Sequence, residues 1–188
     1  ALSQAVPHDV IAEGAGAIWA LVVQGVNGVN KPFMRQLILS GGMGARPNAD
    51  GLSTTQYPTG TRGTPIEVTE AGSPLRYRSK SLRVDSGGPG RWRGGLGQVA
   101  EIDVLPDPKG KSCAVALMGD RSLFASEGLF GGAPGERGHA SNSLDGELPG
   151  ARFHRPIDAP LHMRLDTPGA GGYGPARERP LAEVQRDL

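Results

Sequence analysis

The chain has 188 residues, a formal net charge of +1, 30 glycines, 16 prolines and only 5% aromatic residues. The near-neutral balance gives no basis for a nucleic-acid or anionic-membrane partner, and the longest apolar run, Ala15 to Val23, is well short of the roughly 20 residues a membrane helix needs. A single cysteine, Cys113, excludes an internal disulfide and, with no secretory signal pattern in the opening residues, points to a reducing, cytoplasmic setting.

Glycine and proline together approach a quarter of the chain. Both break helices, so helix content is expected to be low. The glycines cluster between short apolar segments, the pattern of many tight corners in a folded protein. Ala1 to Val6 reads as a helical turn ended by Pro7. Ala17 to Gln24 and Phe33 to Leu39 read as strands around a turn at Gly25 to Asn30. Ala45 to Gly63 is a long loop, and its length suggests a functional or partner surface.

Ile66 to Thr69 and Leu75 to Val84 read as the next strands. Alternation in the second puts Arg76, Arg78 and Lys80 on one face, where a solvated face is the ordinary reading and an anion site the alternative. Gln98 to Leu105 places Val99, Glu101, Asp103 and Leu105 on one side and Ala100, Ile102 and Val104 on the other. After a turn at Pro106 to Gly110, Ser112 to Met118 is a strongly apolar strand. His139 to Leu144 and Leu161 to Leu165 are weaker strands, and Leu181 to Leu188 forms a short helix after Pro180. The sum is an α+β chain, predominantly β, of short and mostly antiparallel strands joined by glycine-rich loops.

Residues 85–97 carry the strongest motif: Asp85-Ser86-Gly87-Gly88-Pro89-Gly90-Arg91-Trp92-Arg93-Gly94-Gly95-Leu96-Gly97. Its first five residues imitate the nucleophile loop of trypsin-like proteases. That chemistry needs a histidine base oriented by an aspartate. The only histidine before Ser86 is His8, in an unrelated context, so a turn held by short polar side chains is the better reading. Gly169-Ala170-Gly171-Gly172-Tyr173-Gly174 matches a dinucleotide pattern, but Pro175 and Pro180 leave no room for the helix it requires. No phosphate loop of the G-x-x-x-x-G-K-[ST] type is present.

His8, His139, His154 and His162 lack metal-ligand spacing, and no metal site is assigned to this chain. Cys113, in an apolar segment, reads as a small buried hydrophobe. Asp120 and Arg121 directly follow a buried strand, where side chains leave the core; the pair either pins the turn or belongs to a site. Arg91 and Arg93, set among glycines, have the makings of an anion cradle, or else pair with Asp85 or Glu101.

Six stretches in order resemble the hydantoinase B/5-oxoprolinase family. They are Gly41 to Pro47 with Asp50-Gly51; Thr64 to Val68; Asp85 to Gly97; Gly119-Asp120-Arg121; Gly128 to Gly132 with Pro134-Gly135; and Thr167 to Gly174. Gly63 stands where the family often has asparagine, and Ala170 interrupts the last glycine run. Family members are several times longer, so the resemblance makes residues 1–188 the C-terminal region of such a protein.

The resemblance implies part of an ATP-dependent hydrolase that opens a cyclic amide: a hydantoin, 5-oxoproline or another lactam. The alternative is a structural or assembly module of such a complex, or of a related ATP-dependent ketone carboxylase. A hydantoinase A-like subunit would hold ATP and magnesium and phosphorylate the amide oxygen. The N-terminal part of the hydantoinase B polypeptide would complete the assembly and carry any divalent metal, with none bound by this chain alone. Asp120, Arg121 and Asp85 are the candidates for catalytic roles, and Arg91, Arg93, Gly41, Gly42 and Gly44 for binding substrate or phosphate.

Overall fold

The computed structural model describes residues 2–16, 19–27, 29–55, 63–71, 73–107, 109 and 113–187. The expected strand start at Ala17 and Ile18 lies outside the described residues, as do residues 56–62 of the long loop, Pro108 and Gly110 of the turn, Ser112 and Leu188.

Two antiparallel sheets face each other across one core. The first has the strand order β2 (Pro32–Leu39), β1 (Trp19–Val26), β5 (Cys113–Gly119), β8 (Arg152–Ile157). The second has the order β3 (Leu75–Leu82), β4 (Gln98–Val104), β9 (Leu161–Asp166), β6 (His139–Asn142), β7 (Gly146–Glu147). Strict alternation builds the core. Trp19, Leu21 and Val23 of β1, Leu37 and Leu39 of β2, and Val115 and Leu117 of β5 meet Ala100, Ile102 and Val104 of β4 and Leu161, Met163 and Leu165 of β9. Burying each such side chain stabilises by about 1.5–3 kcal/mol. Among the described residues, helix is confined to α1 (Leu2–Ala5), α2 (Ile66–Ala71), α3 (Leu181–Asp187) and short 3-10 turns. The fold is predominantly β, with little helix.

Two expectations are corrected and one strand is added. Residues 66–71 are helical, not a strand: the Pro65 carbonyl accepts both the Thr69 amide and its hydroxyl, and Val68 points outward, 64% exposed. The helical turn lets the Glu70 carboxylate accept the Tyr77 amide at 2.7 Å, so local hydrogen bonding outweighs the β-branched composition. Second, Arg76, Arg78 and Lys80 do not share a face. A bulge between Tyr77 and Ser79 pairs Arg76 with Asp103 but Lys80 with Ala100, and the Lys80 ammonium sits over the Tyr77 ring. Third, β8 carries no sequence signal because Pro156 interrupts it. Proline is tolerated on an edge strand, and β8 pairs only with β5.

At one end of the sandwich, the segments that enter β1 and β4 and leave β2, β5 and β9 gather into a bundle of extended glycine-rich backbone. Residues 169–174 run through it. Gly169 and Gly172 donate to the carbonyls of Glu136 and Ala133; Ala170 and Tyr173 donate to those of Gly95 and Trp92; Gly171 and Gly174 donate to those of Glu13 and Leu129. The partner segment therefore repeats every third residue along the first two rows. That is the period of a polyproline II-type backbone, which makes no internal hydrogen bonds and directs its amides outward in three directions.

Such close packing admits no side chain. A Cβ on Gly94 would lie 1.9 Å from the Ala170 carbonyl oxygen, and one on Gly42 would lie 1.9 Å from that of Gly95. The glycine excess is thereby explained as a structural requirement. Trp19 joins bundle to sandwich: its ring packs on Gly119 and Gly138, and its indole N–H donates to the Asp120 carbonyl at 2.9 Å.

Candidate functional site

Asp120 and Arg121 emerge where β5 passes into the bundle. They line an open cleft of about 830 Å³ with Gly16, Gly119, Ser122, Leu123, Phe124, Gly150 and Arg152. Gly16, at φ 87°, leaves room for Asp120: a Cβ there would lie 2.8 Å from the Asp120 Cβ. Arg121 has φ 54°, a left-handed backbone that ordinary residues hold only when their surroundings impose it. Two contacts do so. The Gly138 amide donates to the Arg121 carbonyl at 2.9 Å, and the guanidinium donates to the Glu13 carboxylate. Glu13 in turn accepts the Glu127 amide at 2.8 Å. Its partnership with Arg121 spans 108 residues of sequence and gave no signal in the one-dimensional pattern.

Asp85 and Arg93 line a second cleft, of about 400 Å³, with Gly87, Pro89, Gly90, Leu96, Ala176, Arg179 and Asp187. Asp85 turns the chain at φ 59°, a conformation aspartate tolerates. Arg93 pairs with neither Asp85 nor Glu101. Its partner is Asp187 of α3, at 3.2 Å, while Glu101 pairs with Arg164. Both oxygens of Asp50 accept Arg179, each at 2.8 Å, and Asp50 Oδ1 also accepts the Arg93 amide at 2.7 Å. Burial alone would raise the Asp50 carboxyl, but the Arg179 hydrogen bonds, the Arg93 amide and the two arginine charges outweigh it and hold the pKa below the ordinary carboxylate value. Arg179 is correspondingly raised, chiefly by its hydrogen bonds to Asp50. Neither Arg179 nor Asp187 stood out in the sequence.

Arg91 borders a third cleft, with His8, Phe130, Tyr173 and Glu178 among its neighbours. Gly41, Gly42 and Gly44 are buried in the bundle; a Cβ on Gly44 would lie 1.8 Å from the Ala12 carbonyl oxygen. Their packing accounts for glycine at these positions without a phosphate, and the Gly42 amide is already bonded to the Pro168 carbonyl at 3.1 Å. The candidates thus fall into separate places. Asp120 shares one cleft with Arg121, and Asp85 shares another with Arg93.

Ser86 is buried. Its hydroxyl donates to the Arg83 carbonyl at 2.7 Å and accepts the Gly97 amide at 2.9 Å. Both partners are backbone, so the Asp-Ser-Gly-Gly-Pro loop is a turn. Among the described residues, no three His, Cys, Asp or Glu side chains gather in a metal-binding arrangement. None of the described helices is long and apolar enough to cross a membrane.

The sequence profile of the Hydantoinase B/oxoprolinase family matches residues 1–176. The chain belongs to this family. It is 32% identical over 195 aligned residues to a putative D-/L-hydantoinase B component of a Pseudomonas strain, a match covering 100% of this chain and 31% of that protein. It is 34% identical over 140 residues to the 5-oxoprolinase of Dictyostelium discoideum, covering 72% of this chain and 11% of that protein. The crystal structure of ATP-dependent caprolactamase from Pseudomonas jessenii superposes with a TM-score of 0.75 at 23% identity, covering all of this chain and 34% of that one. The chain thus spans about a third or less of the lengths of these relatives.

Proposed function

We propose that the chain is part of an ATP-dependent hydrolase that opens a cyclic amide, and that the Asp120–Arg121 cleft is its contribution to the substrate site. The observation that carries this reading is the constrained left-handed backbone of Arg121 beside Asp120 at the mouth of an open cleft. Each cyclic amide group of a lactam or hydantoin presents an N–H donor beside a carbonyl acceptor. The Asp120 carboxylate accepts the N–H. The Arg121 guanidinium, steadied by Glu13, faces the carbonyl oxygen where negative charge grows as the ring opens. Arg152, which lines the same cleft, adds a second positive charge for an anionic intermediate.

The buried glycines are committed to neighbouring backbone, and no phosphate loop is present. ATP and magnesium fall to a hydantoinase A-like subunit, and any divalent metal to the rest of a hydantoinase B polypeptide of which this chain is the C-terminal region.

The dispersal of the arginines favours a second reading, a non-catalytic assembly module. Arg93 is committed to Asp187, the behaviour of a residue that holds the fold. Asp120→Ala and Arg93→Ala in the complete assembly separate the readings. Loss of turnover with assembly intact supports a substrate site at the substituted residue; loss of assembly supports the module.

A further inference from the structure

The two outer faces of the sandwich differ in kind. Outside the second sheet, Arg78 bonds to Asp103 at 2.8 Å, His162 contacts the same carboxylate at 2.9 Å, and Arg164 bridges Glu101 and Asp166. This is a laced, water-facing surface. The outside of the first sheet carries three cross-strand rows: Ile38, Ala20, Met118 and Arg152; Gln36, Val22, Ala116 and His154; Met34, Gln24, Ala114 and Pro156. No acid lies among them, and Arg152 and His154 sit only on the edge strand. Met34 is 62% exposed and Met118 66%. Its two central strands present Ala20, Val22, Gln24, Ala114, Ala116 and Met118, mostly apolar and without a charge, so the face has the character of an interior surface left open.

We propose that this face is the seat of the remainder of a hydantoinase B polypeptide, which packs an apolar surface against β2, β1, β5 and β8. Length argues for that occupant: the chain accounts for 31% of the related Pseudomonas protein, so most of such a polypeptide lies elsewhere and must meet this part somewhere. The Asp120–Arg121 cleft opens at the Met118–Arg152 end of the same face, so the occupant also walls the cleft.

The inference rests on reading the chain as part of a hydantoinase B polypeptide, and the four methionines test it. Met34 and Met118 lie on the face, whereas Met43 and Met163 are buried, at 8% and 0% exposure. The complete polypeptide is treated with hydrogen peroxide and sulfoxide formation is followed by peptide mass spectrometry, with the urea-unfolded protein as reference. The expected result is that Met34 and Met118 oxidise about tenfold or more slowly than in urea, alongside Met43 and Met163. Oxidation of Met34 and Met118 at near the unfolded rate, with Met43 and Met163 protected, overturns the proposal. So does protection in a particle containing only copies of this chain.

Val22→Lys, which charges the centre of the face, is expected to restore oxidation at Met34 and Met118 while Met163 stays protected. Val99→Lys, outside the other sheet, is expected to change nothing. Persistent shielding of Met34 and Met118 in Val22→Lys contradicts the assignment. Lactam-stimulated ATP hydrolysis is scored separately on the same particle. Shielded methionines without activity would remove the proposed reaction and leave the interface; exposed methionines with activity would remove the interface alone.

Discussion

Arg179 closes a two-point hydrogen bond on Asp50, each oxygen at 2.8 Å. The contact joins the approach to α3 to the loop after β2, across 129 residues of sequence. The Arg93 amide donates to the same carboxylate at 2.7 Å, so Asp50 ties its own loop to the segments of Arg93 and Arg179 around the glycine bundle, and Arg179 also donates to Asp187. Asp50→Ala removes one of the two carboxylates paired with Arg179, whose side chain is only 10% exposed, and takes the acceptor from the Arg93 amide. The expected loss is about 2 kcal/mol, read as a lowered midpoint in urea unfolding with little change in slope. A loss below about 0.5 kcal/mol, the size of an ordinary surface change, would contradict the clasp.

The same pair sets a pH dependence. The folded-state pKa of Asp50 is depressed, so its contribution is fully present above the unfolded value near 4 and fades as pH falls through the folded value. Thermal melts of the protein and of Asp50→Asn should therefore differ by a constant amount from about pH 5 to 7 and converge below about pH 4. A gap that widens toward low pH would reverse the assigned sign.

Glycine positions divide into bundle and surface. Gly94→Ala forces a Cβ to 1.9 Å from a backbone oxygen, whereas the atom nearest a Cβ on Gly63 is the Lys80 ammonium at 3.7 Å. Gly94→Ala is expected to cost about 3 kcal/mol or more, because the obstacle is backbone and cannot rotate away. Gly63→Ala is expected to be nearly neutral. Equal unfolding midpoints for the two variants would contradict the packing.

Ser86 satisfies two backbone groups and faces no base. A fluorophosphonate probe should leave it unlabelled in the folded protein. Ser86→Ala should lower stability by about 1–3 kcal/mol by stranding the Gly97 amide. Stoichiometric labelling at Ser86 would restore the nucleophile reading.

Much of the fold was legible in the sequence because the core strands alternate cleanly, as in Gln98 to Val104 with its inner Ala100, Ile102 and Val104. The bundle was not, because its rule is a period of three between segments far apart in sequence, and glycines carry no side-chain pattern to reveal their neighbours. The strand Arg152–Ile157 was hidden by Pro156, and the helix at 66–71 by the β-branched Ile66, Val68 and Thr69, of which Val68 points outward. Asp120 and Arg121 stood out as polar residues at a strand exit. Glu13, which holds Arg121, and Arg179, which holds Asp50, could not stand out, since the residue each holds lies more than 100 residues away.

Ring opening coupled to ATP is tested most directly on the assembled particle that contains this chain. It should be given ATP with hydantoin, 5-oxoproline or caprolactam in turn, and phosphate release followed beside ring-opened product. The expected result is phosphate release that depends on one of these cyclic amides, matched by product, and abolished by Asp120→Ala in particles of unchanged mass. Phosphate release that responds only to a ketone with bicarbonate, or lactam-dependent turnover untouched by Asp120→Ala, would contradict the proposed reaction and site.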